Sequence, residues 1–220
     1  MIISLEGNIG SGKSTLLKSL KSYFNGHPKL LFVEEDVEGW NTVQDTDGKT
    51  ILQHFYNDKK KYGYMFQSFV LLTRVHKIAS LRTQHPNSIL VLERSPISDY
   101  KMFAEALYDN KEITEIEWKT YQCSFQMLQS IYPIHSTTIF YLYTDPDVCM
   151  RRICKRNRKG EELIPSQYIH SLHIRHENWL RQFDSSVLCV LNGNLDEAEG
   201  LYSKQFTQIV SFLQTKCESK

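Results

Sequence analysis

The sequence predicts an α/β fold, a five-stranded parallel sheet with helices on both faces. Three observations carry this expectation. Five short apolar runs recur along the chain: 2–5, 30–33, 89–92, 138–142 and 187–191. Each run is nearly continuous rather than alternating, as strands covered on both faces of a parallel sheet are. Helical spacing fills the stretches between them, and alternating strand and helix is the signature of a doubly covered parallel sheet.

The elements follow in order. The run Ile2-Ile3-Ser4-Leu5 leads into a glycine-rich loop, after which Leu16, Leu17 and Leu20 mark one face of a helix. The second run, Leu30 to Val33, precedes a long helix carrying Met65, Phe66, Phe69, Val70, Leu72 and Val75. The runs from Ile89, Thr138 and Val187 supply the remaining strands, and Phe206, Ile209, Val210 and Leu213 mark the last helix. No repeat, low-complexity stretch or linker interrupts the pattern, so residues 1–220 are read as a single domain. Ligands of such sheets bind at the carboxyl ends of the strands. Chemistry is therefore expected just after Leu5, Val33, Leu92, Leu142 and Leu191, and three of those points carry it.

Composition narrows the function classes. A formal charge of +1 argues against a nucleic-acid coat or a polybasic membrane protein. The five cysteines form no CxxC pair and read as reduced thiols rather than a disulfide framework or zinc site. No run approaches the ~20 apolar residues that span a bilayer. Because Met1 to Leu5 already reads as a strand, no signal or transit peptide is expected, and the expected location is cytoplasmic with the nucleus open.

After the first strand, Gly7-Asn8-Ile9-Gly10-Ser11-Gly12-Lys13-Ser14-Thr15 satisfies G-x-x-x-x-G-K-[ST] in full. The glycines let backbone N–H groups turn inward around phosphates, and the following helix adds its positive end. Lys13 can reach the β- and γ-phosphates, and Ser14 can hold Mg²⁺. The motif specifies a nucleoside triphosphate and leaves the reaction open.

The next two strand ends supply candidates for it. Val33 is followed by Glu34-Glu35-Asp36, any of which could accept a proton from an attacking hydroxyl, or could form a solvated acidic turn. Leu92 is followed by Glu93-Arg94-Ser95. Glu93 could hold a magnesium-bound water and Arg94 could neutralise charge on the transferred phosphoryl group, unless the two form a surface ion pair.

Taken together, Gly7 to Thr15, Glu35 with Trp40, Tyr56, Phe66-Gln67, Arg74, Glu93-Arg94-Ser95 and the cluster Arg152 to Arg158 resemble the deoxynucleoside kinase family. The resemblance runs from residue 2 to about residue 191 and includes the deoxycytidine, deoxyguanosine and mitochondrial thymidine kinases. It implies transfer of the γ-phosphoryl of ATP to a deoxynucleoside 5′-hydroxyl in nucleotide salvage, with Mg²⁺ as helper ion. Glu35 then takes the place of the base, although the family's usual following proline is here Asp36, a carboxylate expected to raise its neighbour's pKa. Arg94 resembles the arginine at the 5′-oxygen. Gln67 resembles the glutamine that offers one donor and one acceptor to the nucleobase edge. Tyr56 and Glu161 resemble the pair that holds the sugar 3′-hydroxyl. Trp40 and Phe66 would sandwich the base, with Ile9, Val37, Leu52, Phe55 and Phe103 completing the wall. Arg152, Arg156 and Arg158 match a mobile arginine lid spanning about 152–165 that closes on ATP. His170, His173 and His176 drift around their helix and read as structural or solvated.

Three positions separate the family's branches. Arg74 opposite Asp99 resembles the deoxycytidine and deoxyguanosine kinases, whereas Val70 is the thymidine-branch residue. A buried charged pair cannot move aside, so deoxycytidine or a purine deoxynucleoside is expected ahead of thymidine. The resemblance also implies a homodimer, for which the helices around Tyr100–Leu107 and Tyr121–Ile131 offer apolar faces. An acidic residue that the family carries after the fifth strand is replaced here by Asn192-Gly193-Asn194. Two other readings stay open: a monophosphate kinase of the thymidylate type, and a non-catalytic subunit that keeps the fold.

Overall fold

The computed structural model describes residues 1–132, 134–158, 161–194 and 204–218. The strands are β1 (Ile2–Glu6), β2 (Leu30–Val33), β3 (Ile89–Glu93), β4 (Thr138–Tyr143) and β5 (Leu188–Asn192). All pairings are parallel, in the order β2-β3-β1-β4-β5. Four of the five strands run one residue past the apolar stretch that announces them. For β1 and β3 the added residues are Glu6 and Glu93, whose side chains are buried in spite of their charge. Register sets Leu5 beside Glu93 and Val33 beside Leu92, which gathers the ends of β1, β2 and β3 at one edge of the sheet.

Helices cover both faces. On one, α1 (Lys13–Tyr23) and the last described helix, α10 (Lys204–Glu218), pack Leu17, Leu20, Phe206, Ile209, Val210 and Leu213 against Ile3, Leu5, Val91 and Phe140. Burial of a leucine such as Leu17 contributes about 1.5–3 kcal/mol. On the other face, Ile78 of α4 (Lys59–Gln84) meets Ile2, Leu90 and Leu92, while α9 (Ser166–Leu180) sets Trp179 and Leu180 on Ile139 and Tyr141. β5 departs from the expectation of double coverage: as an edge strand it leaves Val190 58% exposed.

A second core lies among the helices. It joins α2 (Val37–Trp40), α3 (Ile51–Asn57), α4, and α7 (Glu115–Ile131) through Trp40, Phe55, Phe66, Val70, Val75, Trp118 and Tyr121. Capping boxes start α3 at Thr50 and α7 at Thr114, each hydroxyl accepting from the backbone three residues on. Between the three-residue α5 (Pro96–Ser98) and α6 (Glu105–Asp109), residues Asp99–Ala104 form a π-helical turn, a geometry that favours functional sites. Helical spacing alone does not reveal it.

Two expectations about apolar faces need correction. Met65 and Leu72 share the outer side of α4 and are 53% and 54% exposed. The segment Tyr100–Leu107 is no dimer face, because Met102, Ala104, Ala106 and Leu107 are buried within the chain's own core. Among the described residues, no helix is long and apolar enough to cross a membrane. All five cysteines are free.

Candidate active site

The phosphate loop connects β1 to α1 as its motif requires. Gly10 has φ +78, and a Cβ there would lie 2.5 Å from the Cys149 carbonyl oxygen, so both conformation and space demand glycine. Gly12 caps α1 with φ +101. Lys13 folds under the loop: its Nζ donates to the carbonyls of Gly7 (3.0 Å) and Asn8 (2.7 Å). Asn8 is buried and donates to Ile169 O, which ties the loop to α9. The Ser14 hydroxyl donates to Glu93 Oε1 at 2.6 Å. Two hard oxygen ligands therefore meet where β3 ends and α1 begins.

The three rival acids have separate fates. Glu34 turns outward to Lys21 at 2.9 Å, and Asp36 caps α2 by accepting from Gly39 N at 3.1 Å. All three line the cleft, but among them only Glu35 pairs with the arginines Arg74 and Arg94. Its Oε1 accepts from Arg74 Nη2 at 3.0 Å and lies 3.6 Å from Arg94 Nε. Burial raises its pKa, but the charges of Arg94, Arg74 and Lys13 outweigh that and hold it below the usual carboxylate range. The expected raising of Glu35 by Asp36 is thereby corrected, since the cap turns Asp36 away and the cations dominate.

Arg74 is the hub of the cluster. It forms a two-pronged pair with Asp99 (Nε–Oδ2 2.6 Å, Nη2–Oδ1 3.2 Å) and donates Nη1 to the Glu93 carbonyl at 2.8 Å. Arg94 is 3% exposed, adopts a left-handed φ of 64, and lies with Cζ 4.9 Å from the Phe103 ring centre. Strain of this kind concentrates at functional sites.

Glu35, Glu93, Arg94, Asp99 and Phe103 line one cleft of about 1630 Å³, and Arg74 holds the first of these carboxylates and Asp99 without lining it. Pockets for one small ligand run to ~300–1,000 Å³, so the volume suits a donor and an acceptor together. Ile9, Val37, Leu52, Phe55, Tyr56, Gln67, Val70, Phe103 and Glu161 lie on its wall as expected. Gln67 is only 3% exposed, and the surface it keeps lies on this wall. The expected sandwich of Trp40 and Phe66 is corrected. Their rings meet edge to face at 5.7 Å and 87°, which leaves no ring-wide gap, and Trp40 is pinned by its Nε1–H to Thr73 Oγ1. They form a corner, with Phe55 stacked on Phe66 at 4.7 Å.

On the opposite rim, α8 (Pro146–Arg156) carries the basic cluster. Arg152 donates to Ser11 O at 3.3 Å and to Gly193 O at 2.7 Å, joining the phosphate loop to the turn after β5. Arg156 and Arg158 both hold Glu161, at 2.8 Å and 3.2 Å. The arginines expected over ATP and the acid expected at the sugar are thus linked to each other; residues 159 and 160 of the expected lid lie outside the described residues. His170 donates from Nδ1 to Ser166 O on the surface, but His176 does not drift outward: it is fully buried and burial pulls its pKa to about 3.

A deoxynucleoside kinase family model matches residues 3–215. The chain belongs to the deoxynucleoside kinase family. It is 31% identical to the mitochondrial deoxyguanosine kinase of Xenopus laevis over 84% of this chain and 75% of that protein. It is 35% identical to a probable deoxycytidine kinase of fowlpox virus over 82% of this chain and 72% of the relative. Human deoxycytidine kinase is 33% identical, with 81% and 74% covered. As a family member this deoxynucleoside kinase uses ATP as its phosphoryl donor.

Some site residues of the kinase carry no legible signal. Thr144 donates to Ser11 O at 3.3 Å, and Glu6 supports the turn after Arg94; both read as ordinary strand-end residues. Lys13 yields a pH prediction. Burial and the neighbouring Arg94 lower it to about 7. Phosphate brings negative charge against it and raises it, so the bound state carries more protons. ATP affinity should then be fully developed below about pH 7 and fall as pH rises above it. Calorimetry near about pH 8 in buffers of different ionisation enthalpy should detect uptake of up to about one proton per ATP. Identical heats in all buffers would contradict this.

Proposed function

We propose that the chain transfers the γ-phosphoryl of ATP to the 5′-hydroxyl of deoxycytidine or a purine deoxynucleoside, in preference to thymidine, as a step of nucleotide salvage. One observation carries this reading: Arg74 holds Asp99 at the base end of the cleft and Glu35 at its reacting end. Glu35, kept ionised by its arginines, accepts the proton of the 5′-hydroxyl. Arg94 and Lys13 balance charge on the phosphoryl group as it passes.

Ser14 and Glu93 fit Mg²⁺, which takes one or two protein oxygens and completes its shell with phosphate and water. Bound there, the ion supplies neutralisation of the β- and γ-phosphate charge. Gln67 reads the base edge with its side-chain amide, and Tyr56 with Glu161 holds the sugar 3′-hydroxyl. Residues 1–220 act as one domain, with the segment about 152–165 as a lid. Arg156 and Arg158 exchange Glu161 for phosphate as the lid closes. Rates with ATP and each of the four deoxynucleosides and their monophosphates test the whole reading. Thymidine as best substrate would remove the base assignment, and turnover of monophosphates alone would remove the acceptor assignment.

The kinase is proposed to act as a homodimer through the outer sides of α4 and α7. Met65 and Leu72 stand out from the first, and Ile116, Met127 and Ile131, 64–70% exposed, from the second. Large exposed apolar side chains on these two helices support an interface there. Leu72→Glu with Met127→Glu should halve the mass seen by sedimentation equilibrium and leave the fold intact by circular dichroism. A wild-type chain that sediments as a monomer would dispose of the proposal.

A further inference from the structure

Glu6 is a buried acid that the phosphoryl transfer described above does not use. It is the last residue of β1, directly before the phosphate loop, and is wholly inaccessible. Its Oε1 accepts the backbone N–H of Ser95 at 3.0 Å, and Oε2 has no partner among the described residues. A buried carboxyl with an unpaired oxygen costs stability, and leucine would fill the same space without that cost. Residues kept against such a cost cluster at functional sites.

What Glu6 holds is the turn that presents Arg94. The Arg94 N–H donates to Leu5 O at 3.1 Å, and the next N–H, of Ser95, goes to Glu6. Between these two anchors Arg94 takes its left-handed φ of 64, a conformation that an L-residue with a Cβ adopts only when its surroundings hold it there. Downstream, Ser95 and Ser98 close a capping box. Arg94 Nη1 is itself buried without a partner among the described residues. Ser4 Oγ, one strand repeat before Glu6, and His176 Nε2 are buried without a hydrogen-bond partner among the described residues as well. Burial raises the Glu6 pKa against the opposing pull of the Ser95 N–H and the Arg94 charge.

We propose that Glu6 is a positioning residue for phosphoryl transfer: by accepting the Ser95 N–H it locks the turn after β3 to the start of the phosphate loop and aims Arg94 at the reacting oxygen. The inference rests on the role given to Arg94 above. One carboxyl thereby sets the spacing between the segment that holds the phosphates and the arginine that meets the transferring group.

Kinetics of Glu6→Leu, Glu6→Gln, Arg94→Ala and the Glu6→Leu/Arg94→Ala double variant test it, with melting temperatures measured in parallel. Glu6→Leu removes the acceptor at nearly constant volume and should lower kcat roughly 10²-fold, the scale of a misplaced catalytic group, with KM for ATP within about threefold of the parent. Glu6→Gln keeps an acceptor oxygen and should recover kcat to within about fivefold. The double variant should be no slower than Arg94→Ala alone, because both changes remove one contribution. If Glu6→Leu does not fold, Glu6→Asp, which withdraws the oxygen by one methylene, is held to the same kcat criterion. Parental kcat in a folded Glu6→Leu, Glu6→Gln as slow as Glu6→Leu, or additive losses in the double variant would each overturn the proposal. Full turnover by Arg94→Ala would instead remove the role of Arg94 on which it stands.

Discussion

Glu35→Gln should lower kcat about 10³-fold while ATP still binds with nearly parental affinity, a loss within the range of general-base removal. The substitution keeps the side chain's size and leaves its amide oxygen free to accept from Arg74. It removes the negative charge shared by Arg74 and Arg94 and the site for the departing proton. Glu35 does not touch the phosphate-loop backbone, so the donor site should be spared. The rival acids make the prediction selective. Glu34→Gln breaks only a solvent-exposed pair with Lys21, worth about 0–1 kcal/mol, and should leave kcat within about twofold. Asp36→Asn keeps a capping oxygen for Gly39 N and should behave alike. Steady-state rates and ATP titration of the three variants decide it; a Glu35→Gln enzyme with substantial turnover would exclude Glu35 as proton acceptor.

That experiment separates three residues which the sequence leaves level. Adjacent acids at a strand end look alike in a string of letters, because their distinction lies in the path of the backbone after Val33. Where the chain turns into α2, Asp36 is consumed as its cap and Glu34 is left to solvent. The strands and the phosphate loop are legible because their causes are local: continuous apolar runs for buried strands, and glycines where φ is positive. The relation between Trp40 and Phe66 is not, since it depends on how α2 crosses α4. The same holds for Arg74. Its number and charge are visible, but its simultaneous contact with Asp99, Glu93 O and Glu35 arises only when the π-helical turn and β3 come together. Glu6 reads as a polar residue just past an apolar run. Only the register of β1 against β3 shows that it faces a backbone N–H.

The position of Arg74 leads to the second large effect. Arg74→Met alone leaves Asp99, 2% exposed in its side chain, with no cation and withdraws one of the two arginines on Glu35. Breaking a buried pair from one side costs about 3–5 kcal/mol, so the melting temperature should fall by several degrees. Adding Asp99→Ala removes the stranded carboxylate and should return much of that stability. It also clears polar bulk from the floor beside Val70, where a thymine methyl needs apolar room. The ratio of kcat/KM for thymidine to that for deoxycytidine should therefore rise about 10–10²-fold in the double variant, the range a methyl-sized pocket change supports. Absolute activity should stay below parental on every nucleoside, because Arg74 Nη2 no longer orients Glu35. The two consequences come apart in the kinetics: the specificity ratio follows the Asp99 end of the arginine, and the common drop in kcat follows the Glu35 end. A double variant that keeps the parental thymidine-to-deoxycytidine ratio would show that the pair does not set the choice of base. A double variant with undiminished kcat would show that Glu35 is oriented by Arg94 alone.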